Sequence, residues 1–159
     1  MDLLLDTNII LLYGKNDEVA RAIEMKYGIF SGKHRLATSI VTIGELDALT
    51  KKLGLGTSRQ DRMNNIIQNI SISDIRYDRV IEAYGDTDHF SQGKLSVQVN
   101  KNRFTARNMG KNDLWIAATA KAFGLTLVTT DKDFDHLHDE YINVMYIDMD
   151  TIKQELKAH

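Results

Sequence analysis

The fold is decided by the stretch Leu3-Leu4-Leu5-Asp6-Thr7-Asn8, where a short apolar run ends abruptly in polar residues. This pattern predicts a buried strand followed by a polar loop or by the start of a helix. A second continuous apolar run, at residues 125–129, ends in a similar way just before Asp131. Uninterrupted apolar strands are typical of parallel sheets that are covered on both faces.

Helical patterns separate these runs. Predicted helices begin near Asp17, Ser39, Arg59, Arg79, Lys111, Asp131 and Asp150, and further short strands are predicted at residues 35–38, 70–75 and 144–147. The helix from Lys111 to Phe123 is apolar on most sides, so we expect it to be buried almost all round. Strands joined through helices imply crossover connections, and therefore a parallel sheet with helices on both faces.

The composition narrows the class of protein. The chain has 159 residues, a net charge of -2 and 43% hydrophobic residues, as expected for one folded domain without a global basic field. It contains no cysteine, which excludes disulfides, thiolate nucleophiles and zinc–thiolate sites. We find neither a basic stretch before an apolar run nor a run of membrane-spanning length, so we expect a cytoplasmic protein without membrane contact.

Acidic residues from distant parts of the chain are predicted to meet at one edge of the sheet. The set consists of Asp6, Glu45, Asp113 and Asp131. Two of them follow strands and two lie near the start of helices, and these positions share the carboxyl edge of a parallel sheet, where ligands bind. Clustered carboxylates repel one another unless a cation neutralises them. Oxygen-only ligands favour Mg²⁺ or Mn²⁺.

Each acid also has an ordinary structural interpretation. Asp113 is a suitable helix N-cap, and we give this role even weight when Asp113 is considered alone. Asp6 and Asp131 suit turns at strand ends. Glu45 suits an exposed position on a helix, although its neighbours place it near the apolar boundary. The prediction of a site therefore depends on the convergence of all four acids.

Four ordered motifs resemble those of the PIN-domain nucleases, and most closely the VapC-type toxins of type II toxin–antitoxin systems. The motifs are Leu3-Leu4-Leu5-Asp6-Thr7-Asn8-Ile9-Ile10, Thr38-Ser39-Ile40-Val41-Thr42-Ile43-Gly44-Glu45-Leu46, Asn112-Asp113-Leu114-Trp115-Ile116-Ala117-Ala118-Thr119-Ala120 and Val128-Thr129-Thr130-Asp131-Lys132-Asp133-Phe134. Their order and spacing agree with the family over nearly the whole chain.

The resemblance implies a three-layer α/β/α sandwich made of one domain, residues 1–159, with the four acids as catalytic metal ligands. Thr7, Asn8, Thr130 and Asp133 would support those acids. The implied activity is hydrolysis of RNA phosphodiester bonds with one or two Mg²⁺ or Mn²⁺ ions, leaving 5′-phosphate and 3′-hydroxyl ends. The implied substrates are tRNA, rRNA or mRNA, and the implied partners are a second copy of the chain and a cognate antitoxin protein.

A polar stretch at residues 86–112 departs from the shortest relatives, and we predict a long surface loop there, with a possible hairpin at Val97 and Val99. Its candidate RNA-binding residues are Lys94, Lys101, Arg103, Arg107 and Lys111, with Phe90 and Phe104 between them. We favour slightly a flap that contacts RNA through phosphates and stacked bases. The alternative is a solvated loop with incidental charges.

The sequence also allows two other functions. Metal-free acid–base chemistry would need histidines near the site, but we expect His136 and His138 to be solvated. Such an enzyme would leave 2′,3′-cyclic phosphate ends. The second is a PIN-fold module that binds RNA or protein with little or no catalysis. The presence of all four acids favours the nuclease over this module.

Overall fold

A computed structural model describes residues 1–93 and 108–158 of the chain. The strands are β1 (Asp2–Leu5), β2 (Arg35–Ser39), β3 (Ser71–Ser73), β4 (Thr126–Thr129) and β5 (Val144–Tyr146). The helices are α1 (Thr7–Lys15), α2 (Glu18–Tyr27), α3 (Ile40–Leu53), α4 (Thr57–Gln68), α5 (Asp78–Ser91), α6 (Lys111–Phe123) and α7 (Met149–Lys157), with a 3₁₀ helix at Lys132–Leu137.

The five strands form one parallel sheet in the order β3-β2-β1-β4-β5. Strand β1 lies in the middle, where Leu4 pairs with Ala37 on one side and with Leu127 on the other. The chain first adds strands on the β2 side of β1 and then on the β4 side. The order therefore reverses between β1 and β4, and a crevice opens at such a point at the carboxyl edge of the sheet.

Both faces of the sheet are buried, as the apolar strand runs predicted. Along β1, Leu4 packs into a cluster that includes residues of α5 and α6, whereas Leu3 and Leu5 pack into one that includes residues of α1, α2 and α7. This alternation follows from the two-residue period of a strand. The predicted α/β/α architecture with a parallel sheet is confirmed.

Helix α5 corrects the predicted start of the long loop. The helix continues through Ser91, and the ring of Phe90 is 1% exposed and stacks on Tyr141 with centroids 4.8 Å apart. Buried positions recur at helical spacing from Val80 to Phe90 while polar residues lie between them, so the stretch is an amphipathic helix rather than a loop. Phe90 is therefore a core residue and not part of a flap. The possible hairpin at residues 97–99 lies outside the described residues.

The last helix shows a second, smaller difference from prediction. Its N-cap is Asp148 rather than Asp150, because the Asp148 carboxylate accepts hydrogen bonds from the backbone N–H groups of Asp150 and Thr151. The predicted bounds of α6, Lys111–Phe123, agree with the structure, and most of its residues from Leu114 to Ala120 are buried. Within residues 1–93 and 108–158, no helix has the length and apolarity needed to cross a membrane.

Candidate active site

Asp6 lies at the end of β1, in the crevice between β1 and β4. Its side chain is nearly buried, with an exposed fraction of 4%. The oxygen Oδ1 accepts a hydrogen bond from the backbone N–H of Thr7 at 2.7 Å, and Oδ2 accepts one from the hydroxyl of Thr129 at 2.7 Å. Both carboxylate oxygens are thus held by donors from β4 and from the first residue of α1.

Asp131 follows β4 and caps the 3₁₀ helix, where its Oδ1 accepts a hydrogen bond from the backbone N–H of Asp133 at 2.9 Å. The backbone N–H of Asp131 itself donates to the hydroxyl oxygen of Thr129 at 3.0 Å. The Thr129 hydroxyl therefore connects the two acids, since it donates to the Asp6 carboxylate and accepts from the Asp131 backbone.

Glu45 lies in the second turn of α3 and is tied to two other elements. The Thr7 hydroxyl donates a short hydrogen bond to Glu45 Oε2, and Asn112 Nδ2 donates to Oε1 at 2.8 Å. Thr7 belongs to α1 and Asn112 to the first turn of α6. The Glu45 carboxylate thereby connects α1, α3 and α6 at the same edge of the sheet.

Asp113 stands in the first turn of α6, beside Asn112, and is half-buried. Its carboxylate passes close to the backbone at Gly110, the N-cap of that helix. A Cβ atom placed on Gly110 would lie 2.9 Å from Asp113 Oδ2, closer than real Cβ contacts allow. The missing side chain at position 110 leaves room for the carboxylate in its observed orientation.

The pKa values of Asp6 and Asp113 are those expected when several carboxylates share one site. Burial raises the pKa of Asp6 to about 6, although the hydrogen bonds from Thr129 and Thr7 oppose that rise and the charges of Glu45 and Asp131 add to it. Burial also raises the pKa of Asp113 to about 6, and there the further causes are the charges of other acids, led by Asp6. Within the described part of the chain, no Lys, Arg or His forms an ion pair with Asp6, Glu45, Asp113 or Asp131.

The acids share one edge, but their oxygens do not already form a cage. Among residues 1–93 and 108–158, no three acidic or histidine side chains are close enough together to hold one ion. The oxygens of Asp6 and Glu45 are instead turned onto hydrogen-bond donors, namely Thr7, Asn112 and Thr129. As a donor set, carboxylates without thiolates fit a hard divalent cation.

The predicted supporting residues are only partly at this site. Thr7 bonds to Asp6 and Glu45, and the Asp133 backbone bonds to Asp131. The hydroxyl that reaches Asp6 belongs to Thr129 and not to Thr130. Asn8 is exposed on α1 and makes no hydrogen bond to the acids in the described part of the chain.

Three contributors were missed by sequence reasoning: Thr129, Asn112 and Gly110. The sequence pattern indicates only that Thr129 is an ordinary residue of an apolar strand, and the available signal was its position two residues before Asp131 in the fourth motif. Asn112 is adjacent to Asp113 in the sequence, but only the packing of α6 against α3 brings its amide to Glu45.

Most of the predicted RNA-binding set, namely Lys94, Lys101, Arg103 and Arg107, lies outside the described residues, as does Phe104. Lys111 is described, and it is exposed at the first position of α6. Its contact with RNA remains a prediction.

The two histidines near the fourth motif are more engaged with the fold than expected. His136 is half-buried, with Nε2 2.9 Å from the hydroxyl oxygen of Ser91, so the prediction that it is solvated is wrong. His138 is exposed, but its Nδ1 accepts a hydrogen bond from the backbone N–H of Val144 at 3.0 Å. These contacts give both rings a structural role.

Comparisons with solved structures identify the same fold in toxin–antitoxin proteins. VapBC2 from Rickettsia felis, bound to a DNA fragment from the promoter, has a TM-score of 0.67 at 21% identity, covering 91% of this chain and 98% of the other. VapBC-1 from nontypeable Haemophilus influenzae has a TM-score of 0.62 at 24% identity, covering 92% and 98%. The Sarcin-Ricin loop cleaving toxin VapC20 of Mycobacterium tuberculosis has a TM-score of 0.55 at 15% identity, covering 84% and 92%.

No curated protein matches the sequence. The family model that matches is that of the PIN domain, and it aligns with residues 3–140, which include all four acids. The resemblance seen in the sequence motifs is confirmed: the chain belongs to the PIN-domain family.

Proposed function

We propose that this protein is a metal-dependent endoribonuclease and the toxin of a toxin–antitoxin pair. The observation that carries the proposal is the convergence of acids from four distant segments at the sheet crevice. Thr129 bonds to Asp6 and Asp131, Thr7 bonds to Asp6 and Glu45, and the charges of these three acids help to raise the pKa of Asp113. Membership of the PIN-domain family over residues 3–140 supports the same activity.

The excess of negative charge supports a cation at this site. Carboxyl groups with a raised pKa, and without an ion-pair partner among the described residues, favour binding of Mg²⁺ or Mn²⁺, which removes their mutual repulsion. The ligands would be Asp6, Glu45, Asp113 and Asp131. A bound divalent ion supplies Lewis-acid activation of water and of the scissile phosphate.

The protein groups hold the reacting atoms in place. Thr129 fixes Asp6 and Asp131 relative to each other, and Thr7 and Asn112 orient Glu45. No side chain in this set needs to form a covalent bond with the substrate, since water attacks in line with the leaving 3′-oxygen. The products therefore carry 5′-phosphate and 3′-hydroxyl ends.

The biological role is part of the same proposal. VapC20 of Mycobacterium tuberculosis is a toxin that cleaves the sarcin–ricin loop. VapBC-5 of Mycobacterium tuberculosis belongs to a family of toxin–antitoxin systems, and a toxin–antitoxin complex from Klebsiella pneumoniae has the same fold. We infer that this chain cuts a structured RNA, pairs with a cognate antitoxin and forms a homodimer.

The test is cleavage of total RNA by the purified protein with Mn²⁺ or Mg²⁺, with EDTA, and with the variant Asp6→Asn. Asp2→Asn is the matched control, because Asp2 lies at the opposite end of the same strand and pairs with Arg35. We expect cleavage by wild type and the control, loss with EDTA and with Asp6→Asn, and 5′-phosphate ends. Full activity in EDTA or cyclic phosphate ends would contradict the proposal.

The alternative is a PIN-fold module that binds RNA or protein without cutting. It is favoured by the absence of a ready-made cage among the described side chains. Calorimetric titration with Mn²⁺ separates the two functions: the nuclease binds the ion and cuts RNA, whereas the module binds RNA and leaves it intact.

A further inference from the structure

A groove lies along α1, and some of its lining residues are sequence neighbours of residues that hold the acids. It has a volume of about 400 Å³. At one end it is lined by Asn8 and Thr130, the immediate sequence neighbours of Thr7 and Thr129, which hold the acids. From there it follows one stripe of α1 as far as Lys15, a length of about 10 Å at 1.5 Å per residue.

The cationic side of the groove comes from three elements far apart in the sequence. Lys15 ends α1, Arg59 belongs to α4 and Lys153 to α7. None of these three side chains forms an ion pair within residues 1–93 and 108–158. Without such a partner in the described part of the chain, these charges are available to an anionic ligand.

Arg59 is held in place by a hydrogen bond that leaves other N–H donors of its guanidinium for a ligand. Its Nη2 donates to the backbone carbonyl of Leu11 at 2.9 Å, which fixes the guanidinium against α1. Its Nε is buried and has no acceptor in the described part of the chain. A guanidinium carries five N–H donors, and an arginine held in this way is suited to phosphate.

The groove is also lined by apolar, half-buried side chains of Leu11, Leu12, Val19 and Met149. Asp17 also lines the groove, but its Oδ1 accepts a hydrogen bond from the Ala20 N–H at the start of α2. A groove that combines apolar side chains with several cations matches a nucleotide, whose base has apolar faces and whose phosphate is anionic.

We propose that this groove binds a nucleotide of single-stranded RNA next to the one that is cut, with its phosphate held by Lys15, Arg59 and Lys153. The inference rests on the proposed nuclease function and names where the substrate strand leaves the acid site. It also explains how a protein with a net charge of -2 holds a polyanion beside a cluster of carboxylates.

The test measures binding of a short mixed-sequence single-stranded RNA in an Asp6→Asn background, so that the RNA is not cut. The variant is Lys15→Ala with Lys153→Ala, because both side chains are exposed and their truncation spares the core. The control is Lys33→Ala with Lys157→Ala, which removes the same charge from exposed lysines outside the groove. Lys15→Arg with Lys153→Arg keeps the charge.

We expect the groove variant to weaken RNA binding roughly tenfold near physiological ionic strength. The slope of log K against log salt should become shallower by about 1.4, at about 0.7 for each lost contact to a single strand. The control should bind less than twofold more weakly at the same slope. The arginine variant should bind like its parent.

Equal losses of RNA affinity in the groove variant and in the control would overturn the inference and leave the proposed nuclease function unaffected. Unchanged RNA binding together with lost binding of an acidic peptide would also overturn it, since the groove would then serve a protein. An Asp6→Asn protein that does not bind RNA, with a wild type that does not cut it, would remove the proposed function as well.

Discussion

The carboxylates at the two ends of strand β1 lie in opposite electrostatic environments. At the amino end, Asp2 accepts hydrogen bonds from Arg35, and that pairing is the main reason why its pKa lies below the usual value. At the carboxyl end, Asp6 is buried among other acids and its pKa is raised to about 6. The structural aspartate has its own cation in the fold, whereas in residues 1–93 and 108–158 no cationic side chain forms an ion pair with the acids at the carboxyl end.

The largest expected effect comes from removing one acid from the site. Asp6→Asn should lower the rate of RNA cleavage more than about 100-fold, beyond the 10–100-fold typical of residues that only orient metal ligands. Asp2→Asn, on the same strand, should leave the rate near that of wild type. Initial rates on a defined RNA with Mn²⁺ measure both, and equal rates for the two variants would remove the distinction between the ends of β1.

The next effect tests Thr129 as a positioning residue. Thr129→Val keeps the shape but removes the hydroxyl that joins Asp6 to Asp131, and we expect about a 10–100-fold loss of activity. Because the hydrogen bond from Thr129 lowers the pKa of Asp6, its loss should raise that pKa further. Carboxyl titration by carbon NMR follows the pKa directly.

Thr129→Ser supplies the control, since it restores the hydroxyl at the same position. This variant should have most of the wild-type activity, and the pKa of Asp6 should return to its wild-type value. A valine variant with full activity and an unchanged pKa would show that Thr129 only fills space in the sheet.

A third, smaller effect is on stability. The folded state holds the Asp113 proton more tightly than the unfolded chain, because the pKa is about 6 instead of 3.8. Stability therefore falls as the pH rises from about 4 to 6, and the penalty is complete above that range. Asp113→Asn should increase the free energy of unfolding by about 1–2 kcal/mol at about pH 8 without metal, after a discount for partial exposure.

The gain from Asp113→Asn should shrink toward about pH 4, where the wild-type carboxyl group is protonated. Asp2→Asn has the opposite sign, because Asp2 has a lowered pKa and loses a partner. Urea unfolding at the two pH values measures both variants in EDTA. If the Asp113→Asn protein were less stable than wild type at both pH values, the explanation that repulsion and burial of the Asp113 charge destabilise the fold would be contradicted.

The smallest effect concerns Gly110. A methyl group there would push the Asp113 carboxylate, the mobile end of a side chain, so the fold should tolerate Gly110→Ala while Mn²⁺ affinity falls several-fold. Gly56 provides the control, since it caps α4 with similar backbone angles and a Cβ there would have no neighbour within 4 Å. If both alanine variants bind Mn²⁺ as wild type does, the contact with Asp113 has no functional consequence.

The sequence was informative where one local pattern determines the outcome. Apolar runs located β1 and β4, and a glycine after an apolar helix located the end of α6. Ligands of parallel sheets bind at the edge formed by the carboxyl ends of the strands. Because Asp6 and Asp131 each follow a strand, this rule predicted that they lie together. Residue-level periodicity failed for α5, where a polar outer face was read as a loop.

The sequence was uninformative where contacts depend on tertiary packing. A strand buried on both faces does not indicate that Thr129, rather than Thr130, has its hydroxyl at Asp6. The bond from Asn112 to Glu45 depends on how α6 crosses α3, and the cationic groove combines α1, α4 and α7. No local spacing relates residues 15, 59 and 153.

We propose that the carboxyl edge of the sheet holds acids without ion-pair partners in the described part of the chain, and that these acids accept a divalent cation. Calorimetric titration of the wild-type protein with Mn²⁺ at about pH 6, in buffers of different ionisation enthalpy, tests it most directly. We predict binding that releases about one proton, since two carboxyl groups with a pKa of about 6 are each half-protonated, and weaker binding with less release in Asp113→Asn. No binding, or binding and proton release that are the same in Asp113→Asn as in wild type, would contradict it.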